Sequence, residues 1–269
     1  MSAIARRASV VLAVSSLVVG FLPQPSFAAE SGEFFFPCGL SHRAMDDPIV
    51  FPGDPGAAHM HAFIGNTSTN AYSTATSLSK SRTTCRMKKD RSAYWVPELI
   101  VNGRRQKPVK IQLYYRNGVS ASPRPFPFGL KIVQGNADAR SRQAGWSTRE
   151  FWMCNGGGRH YSTPPNCGEE LVMQVIFPQC WDGQHLDSPD HRSHMAYPRG
   201  GECPNSHGVV VPRLQLQVKF DIHHAARART RLSSGSIYGV HADFFNAWDS
   251  TTLRRLIRDC LDRGTSCHL

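Results

Sequence analysis

Three short stretches carry most of the side chains able to hold a metal ion or move a proton. CWDGQHLDSPDHRSHMAYP, Cys180 to Pro198, packs Asp182, Asp187, Asp190, His185, His191 and His194 into thirteen positions. AAHMHAFIGN sets His59 and His61 two residues apart, and GVHADFFNAWD sets His241 and Asp243 at the same spacing. On a β-strand that spacing puts both side chains on one face. Two imidazoles side by side form a chelating pair for a divalent transition metal, or an acid/base pair. A histidine beside an aspartate forms a ligand pair, or an imidazole oriented by a carboxylate. The competing reading is structural in each case: hydrogen-bonded histidines beside Asn66, and an edge-strand His–Asp pair without a task.

In the longest stretch Pro189 disfavours a regular helix before Asp190 and favours a structured turn. Asp187 and Ser188 are turn-forming residues. His191 and His194 are spaced to face the same way on one helical turn. His207 follows in CPNSHGVVVP. Most of the twelve histidines fall in these segments beside Asp, Gly and Asn, which points to a shared polar site.

These groups need a scaffold, and the rest of the chain reads as strands. VPELIVNG, VKIQLYYRNG, GLKIVQGN, REFWMCNG, ELVMQVIFPQCW, VVVPRLQLQVKFDIH and GSIYGVHADFF are short apolar runs bounded by Gly, Pro and Asn. LQLQVKFDIH alternates, so one face is buried and the other wet. VPELIVNG and VKIQLYYRNG end in Asn-Gly, the signal of a tight turn. The pattern predicts a mainly β fold, an antiparallel β-sandwich of jelly-roll type with long disulfide-tied loops. One helix is predicted in DSTTLRRLIRDCLDRG, where Leu253, Leu256, Ile257, Cys260 and Leu261 share a face. Asp249 or Ser250 would cap its start and Gly264 would end it.

Residues 1–28 read as a secretory signal: Arg6 and Arg7, an apolar run, then Ser26-Phe27-Ala28. Residues 29–269 are expected to form a single domain, with no transmembrane segment, secreted to the extracellular space or periplasm. Eight cysteines in an exported chain favour four disulfides. Local spacing suggests Cys154–Cys167, Cys180–Cys203 and Cys260–Cys267, leaving Cys38–Cys85, among 105 connectivities that eight cysteines allow. The formal charge of +11 suits acidic polysaccharides or anionic cell surfaces rather than nucleic acid, or else is a generic solvated face. The chain has no HExxH, GxSxG, GxGxxG or P-loop, so zincin, α/β-hydrolase and nucleotide-site readings have no support.

In order, HMHAFIGN, YWVPELIVNG, CWDGQHLDSPDHRSHMAYP, CPNSHGVVVP and HADFFNAWD resemble the DUF1996 family of secreted fungal and bacterial proteins, over roughly Asp47 to Cys260. The resemblance implies export and a glycan or cell-wall setting, and no firmly attached activity. Its recurrent polar positions correspond to His59, His61, Asn66, Asp182, Asp187, Asp190, His191, His194, His207, His241 and Asp243. The sequence departs from the pattern at Gly208, where Pro is usual, and at Ala247, where Gly is usual. His185 falls at a variable position.

Two functional expectations follow. In the first, the protein is a polysaccharide- or cell-wall-acting hydrolase of glycosidase type, for which two carboxyl groups must flank the scissile bond. Asp187, Asp190, His191 and Asp243 would be catalytic. His59, His61, His194 and His241 would hold a divalent transition metal, and Asn66, Trp181, Tyr197 and Trp248 would contact substrate. In the second, the chain is a non-catalytic glycan- or surface-binding module whose His/Asp cluster is structural or holds a structural metal.

Overall fold

The computed structural model describes residues 32–145 and 148–269, so the expected signal segment lies outside the described residues. Eleven strands build the two main sheets: β1 (Glu33–Cys38), β2 (Leu40–Ala44), β3 (His61–Gly65), β4 (Ala93–Pro97), β5 (Lys110–Arg116), β6 (Lys131–Gly135), β7 (Glu150–Cys154), β8 (Leu171–Ile176), β9 (Arg213–Phe220), β10 (His241–Phe245) and β11 (Ser266–His268). The first sheet has the order β11-β1-β5-β9-β8-β7, and the second β2-β3-β4-β10-β6. Pairing is antiparallel except for β1 with β11.

The main core lies between these sheets. Phe34, Phe36, Leu113, Tyr115, Leu216 and Met173 from the first meet Ile64, Tyr94, Val96, Ile132 and Phe244 from the second. This is the sandwich that the alternating strands predict. On β9, Leu214, Leu216, Val218 and Phe220 point inward as the alternation requires. Its outer side is drier than expected, because Gln215 and Gln217 both donate to Gln174 Oε1, at 3.0 and 2.7 Å, and the amides shield one another.

The second sheet is covered on both faces. Every residue of β3, β4 and β10 is buried. Residues pointing away from the main core form a smaller cluster of Ile49, Phe63, Leu78, Trp95, Val133 and Phe245. Loops roof this face, with Ile49 and Asp47 from the loop before β3. The segment after Leu186 lies along β6, whose Lys131 and Val133 N–H groups donate to Leu186 and His191 carbonyls. A sheet face roofed by loops can hold polar groups away from water, and that face carries His61, His241 and Asp243.

Four disulfides join Cys38–Cys85, Cys154–Cys167, Cys180–Cys203 and Cys260–Cys267, as local spacing suggests. The helix runs from Ser250 to Leu256 and continues as a wider turn over Ile257–Leu261. Asp249 caps it, accepting from Thr252 N at 2.8 Å. The Asn-Gly signals that end VPELIVNG and VKIQLYYRNG resolve differently. Asn102-Gly103, with φ of 50° and 79°, makes the tight hairpin turn between Leu99–Val101 and Arg104–Arg105. Asn117-Gly118 makes none: Asn117 Oδ1 accepts from Val119 N at 3.2 Å and the chain runs on into a loop.

Candidate metal centre

His61 opens β3, and His241 and Asp243 lie on β10. Both strands pair with β4, so one strand separates them. Phe63 and Asp243 are both register partners of Trp95. The two-residue spacing within each pair, combined with this register, brings both pairs to one patch of the roofed face. His59, just before β3, and Asp47, from the loop, complete it.

Two overlapping triads result: His59, His61 and His241, and Asp47, His61 and Asp243, with the donor atoms of each triad within 4.8 Å of one another. Donors to an ion bound at 2.0–2.2 Å stand roughly 3.5 Å apart in tetrahedral geometry, so a modest contraction closes either triad. His59 Nε2 lies 3.1 Å from His241 Nε2. The rings of His59 and His61 have centroids 4.2 Å apart.

Backbone carbonyls set the tautomers. His61 Nδ1–H donates to the Asp46 carbonyl at 3.0 Å, and His241 Nδ1–H donates to Gly239 at 2.8 Å. A carbonyl only accepts, so Nδ1 carries the proton in both rings and Nε2 keeps its lone pair. This is the arrangement by which metal-ligating imidazoles are normally oriented. Gly135 makes room beside His241. At φ +95°, a Cβ there would lie 2.3 Å from the Val240 carbonyl and 2.7 Å from His241 Cα.

The centre is electrostatically incomplete as built from protein alone. His61 Nε2 and both Asp243 carboxyl oxygens are buried without hydrogen-bond partners. His61 and Asp243 are each 1 % exposed. Burial, then the neighbouring His59 and His241, push the His61 pKa well below its ordinary value. Burial, offset in part by the Gly239 bond, takes His241 down to about 3. Both rings are therefore neutral, the form that binds metal. Burial, with Asp47 adding to it, pushes Asp243 well above the ordinary carboxylate range. Burial also raises Asp47, although its Oδ1 accepts from Ile49 N and Val50 N, both at 2.9 Å. A buried polar group without a partner costs about 1–3 kcal/mol, and a bound cation would remove several such costs together.

A family model described as a domain of unknown function, DUF1996, matches residues 47–248. The chain belongs to the DUF1996 family. No curated protein and no solved structure matches it. In this DUF1996 chain the match starts at Asp47 and so takes in every residue of both triads.

The other sequence-predicted site residues lie elsewhere. His194 does not join the metal set: Nε2–H donates to the Lys131 carbonyl at 2.7 Å, and Nδ1 lies 2.8 Å from Ser188 Oγ, contacts that staple its loop to β6. Asp190 accepts from Ser193 N at 2.8 Å, Arg192 N at 3.1 Å and Ser188 Oγ at 2.8 Å, and these bonds hold its carboxyl far below the ordinary range. It is a turn cap. Asp187 takes His191 Nδ1 at 2.8 Å and Lys131 Nζ at 3.2 Å. His191, at φ 57°, is near enough to lower the Asp47 pKa. His207 Nε2–H donates to Ser193 O at 2.9 Å, tying two loops together. The exposed His185 ring bonds within its own turn, Nδ1 to Asp182 Oδ2 at 2.6 Å.

Among the expected substrate contacts, Asn66 is fully buried and donates to the Leu78 and Arg91 carbonyls at 2.9 and 2.6 Å. Trp248 is 3 % exposed, inside the main core, with Nε1–H on Tyr115 Oη at 3.1 Å. Asn66 has no exposed surface, and Trp248 only borders a surface cleft with Lys89, Arg91 and Phe128, so neither offers an open face for stacking on a sugar. Trp181 and Tyr197 are partly exposed; their polar atoms donate to the His185 and Ile176 carbonyls. Asp47 is not among the site residues expected from the sequence. Its Asp-Pro context reads as an ordinary loop cap, and it does cap the loop while also facing His61.

Proposed function

We propose that this protein is an exported metal-binding protein. His59, His61 and His241 would take a divalent transition ion, with Asp243 and Asp47 supplying the negative charge. Three imidazoles favour zinc, copper, nickel or iron over calcium or magnesium, which prefer all-oxygen sets. The observation that carries the reading is the pair of buried orphan groups, His61 Nε2 and the Asp243 carboxyl, aimed into one cluster. Export is supported by the four disulfides, which persist in oxidising compartments.

The test is elemental analysis of purified wild type beside Asp243→Asn and a His61→Ala, His241→Ala double variant, each dialysed against zinc or copper. Wild type should retain about one ion per chain and the double variant far less. Equal content in all three, or no uptake by wild type, rejects the centre.

A second reading makes the centre catalytic, a metal-assisted hydrolase acting on a cell-wall polysaccharide. One observation favours it: His59 is the partly exposed member of its triad, so one side of the cluster is open towards solvent. A metal reached from that side would lower the pKa of bound water and supply the nucleophile. The Asp187–His191 pair, whose imidazole acts electrostatically on Asp47, would be the candidate acid/base group. A cleft of about 290 Å³ bordered by Asp182, Asp187, Ser188 and His194 lies in the same loop. A polysaccharide panel separates the readings. Products released by wild type and lost in Asp243→Asn support catalysis; retention of a glycan without product supports a binding module.

A further inference from the structure

A different set of orphan groups stands on the six-stranded sheet. At one end of its outer face, Arg116 on β5 and Arg213 on β9 are direct cross-strand partners. Like charges in that relation destabilise an antiparallel pair. Arg116 is compensated, because its Nε donates to Glu33 Oε2 at 2.6 Å. Arg213 is not. Among the described residues it has no ion-pair partner, and its Nε is buried without a hydrogen bond. Burial, then Arg116 and Arg149, disfavour its charged form.

Beside it Gln179 is 0 % exposed, and neither its Oε1 nor its Nε2 has a partner. The two side chains converge over Gly118, where a Cβ would lie 2.7 Å from Arg213 Nη1 and 2.7 Å from Gln179 Oε1. Gly118 has no positive φ, so glycine is needed there for space rather than for a turn. This accounts for the Asn-Gly that makes no hairpin. Each buried unsatisfied polar group in a folded protein calls for a physical explanation, and a bound ion is one that would satisfy all of these together.

We propose that Arg213, Gln179 and Arg116 form a binding site for an oxyanion, sulfate or phosphate, either free or esterified on a glycan. Arg213 offers a planar fork of N–H donors suited to such a group. The Gln179 amide adds another donor, and the anion's charge offsets the Arg116–Arg213 repulsion. The site lies on the other sheet from the metal centre and does not depend on it.

The test compares thermal unfolding in sodium sulfate, sodium phosphate and sodium chloride at equal ionic strength. Wild type should gain roughly 5 °C in saturating sulfate or phosphate over chloride. Arg213→Gln should lose that increment while being at least as stable in chloride, since the like-charge pair is gone. Gly118→Ala, which crowds both side chains, should lose it too. Arg104→Gln, an exposed basic residue on the distant hairpin, should keep it and so exclude a bulk-charge effect. A sulfated oligosaccharide that outperforms free sulfate at equal sulfate concentration assigns the group to a polymer; parity assigns it to the free ion. The site is rejected if wild type gains no more in either oxyanion than in chloride, or if Arg213→Gln gains as much as wild type. Either result leaves water as the occupant.

Discussion

His59 and His241 stand 182 residues apart in the chain, yet their Nε2 atoms meet at 3.1 Å. With Nδ1–H of His241 committed to Gly239, its Nε2 can only accept, so His59 Nε2–H donates to it when no ion is present. An ion would take both lone pairs instead and move the His59 proton to Nδ1. The contact is thus satisfied in either state, whereas His61 Nε2 and Asp243 are satisfied only in one.

That asymmetry predicts a metal-linked stability. An ion that binds only the folded chain stabilises it by about 2.7 kcal/mol at a hundredfold excess over its Kd. For a chain of this size that is roughly 5–10 °C in Tm. Chelator added to wild type should lower Tm by this amount, reversibly on returning zinc or copper. The His61→Ala, His241→Ala variant should show no chelator shift. An unchanged wild-type Tm would contradict a metal-stabilised fold.

His194→Ala should behave as a loop mutant and not as a ligand mutant. It removes the contacts to the Lys131 carbonyl and to Ser188 Oγ and leaves that carbonyl without its side-chain partner. The expected loss is about 2 kcal/mol in urea unfolding, with metal content unchanged. Loss of metal alongside loss of stability would bring His194 back into the centre.

The Cys180–Cys203 bond closes a loop with a sequence separation of 23 and holds the ends of the Asp/His-rich stretch. Chain-entropy estimates put the removal of such a crosslink at about 3 kcal/mol. Cys180→Ser with Cys203→Ser should therefore lower stability by that order. It should also speed proteolysis between residues 182 and 202, a region that mass spectrometry of the fragments would locate.

The strands were legible because alternation and turn residues are local signals. So were the two pairs from their two-residue spacing, although only His241 and Asp243 both lie within a strand and His59 precedes β3. Their meeting was not legible. It depends on β3 and β10 both pairing with β4 in the register Phe63–Trp95–Asp243, a long-range fact that no window of sequence contains. The crowded stretch misled for a chemical reason. Asp, Ser and His satisfy loop backbone as readily as they bind metal or move protons, and Asp190 and His194 are spent in that way. Trp248 looked like a sugar platform because aromatic residues serve both cores and glycan sites, and only burial separates them.

Asp90 provides a pH test of the fold that is independent of the metal centre. It is fully buried in the main core. Its Oδ2 accepts from Tyr94 Oη at 2.7 Å and its Oδ1 from Ser92 N at 3.0 Å. Tyr94 Oη lies 2.6 Å from Tyr115 Oη, which accepts from Trp248 Nε1–H at 3.1 Å. Burial outweighs these bonds and raises the Asp90 pKa to about 7. Below its ordinary value of 3.8 the folded and unfolded chains both hold the proton. Between about 4 and 7 only the folded chain does, so its stability falls as pH rises through that window. The contribution of this one group is on the order of 4 kcal/mol. Asp90→Asn carries no titrating proton there and should abolish this component. Urea unfolding of both proteins at pH 4 and pH 7.5 should show wild type losing several kcal/mol relative to the variant as pH rises. Parallel pH profiles would mean that Asp90 is ionised in the folded core, with the two tyrosines supplying the stabilisation.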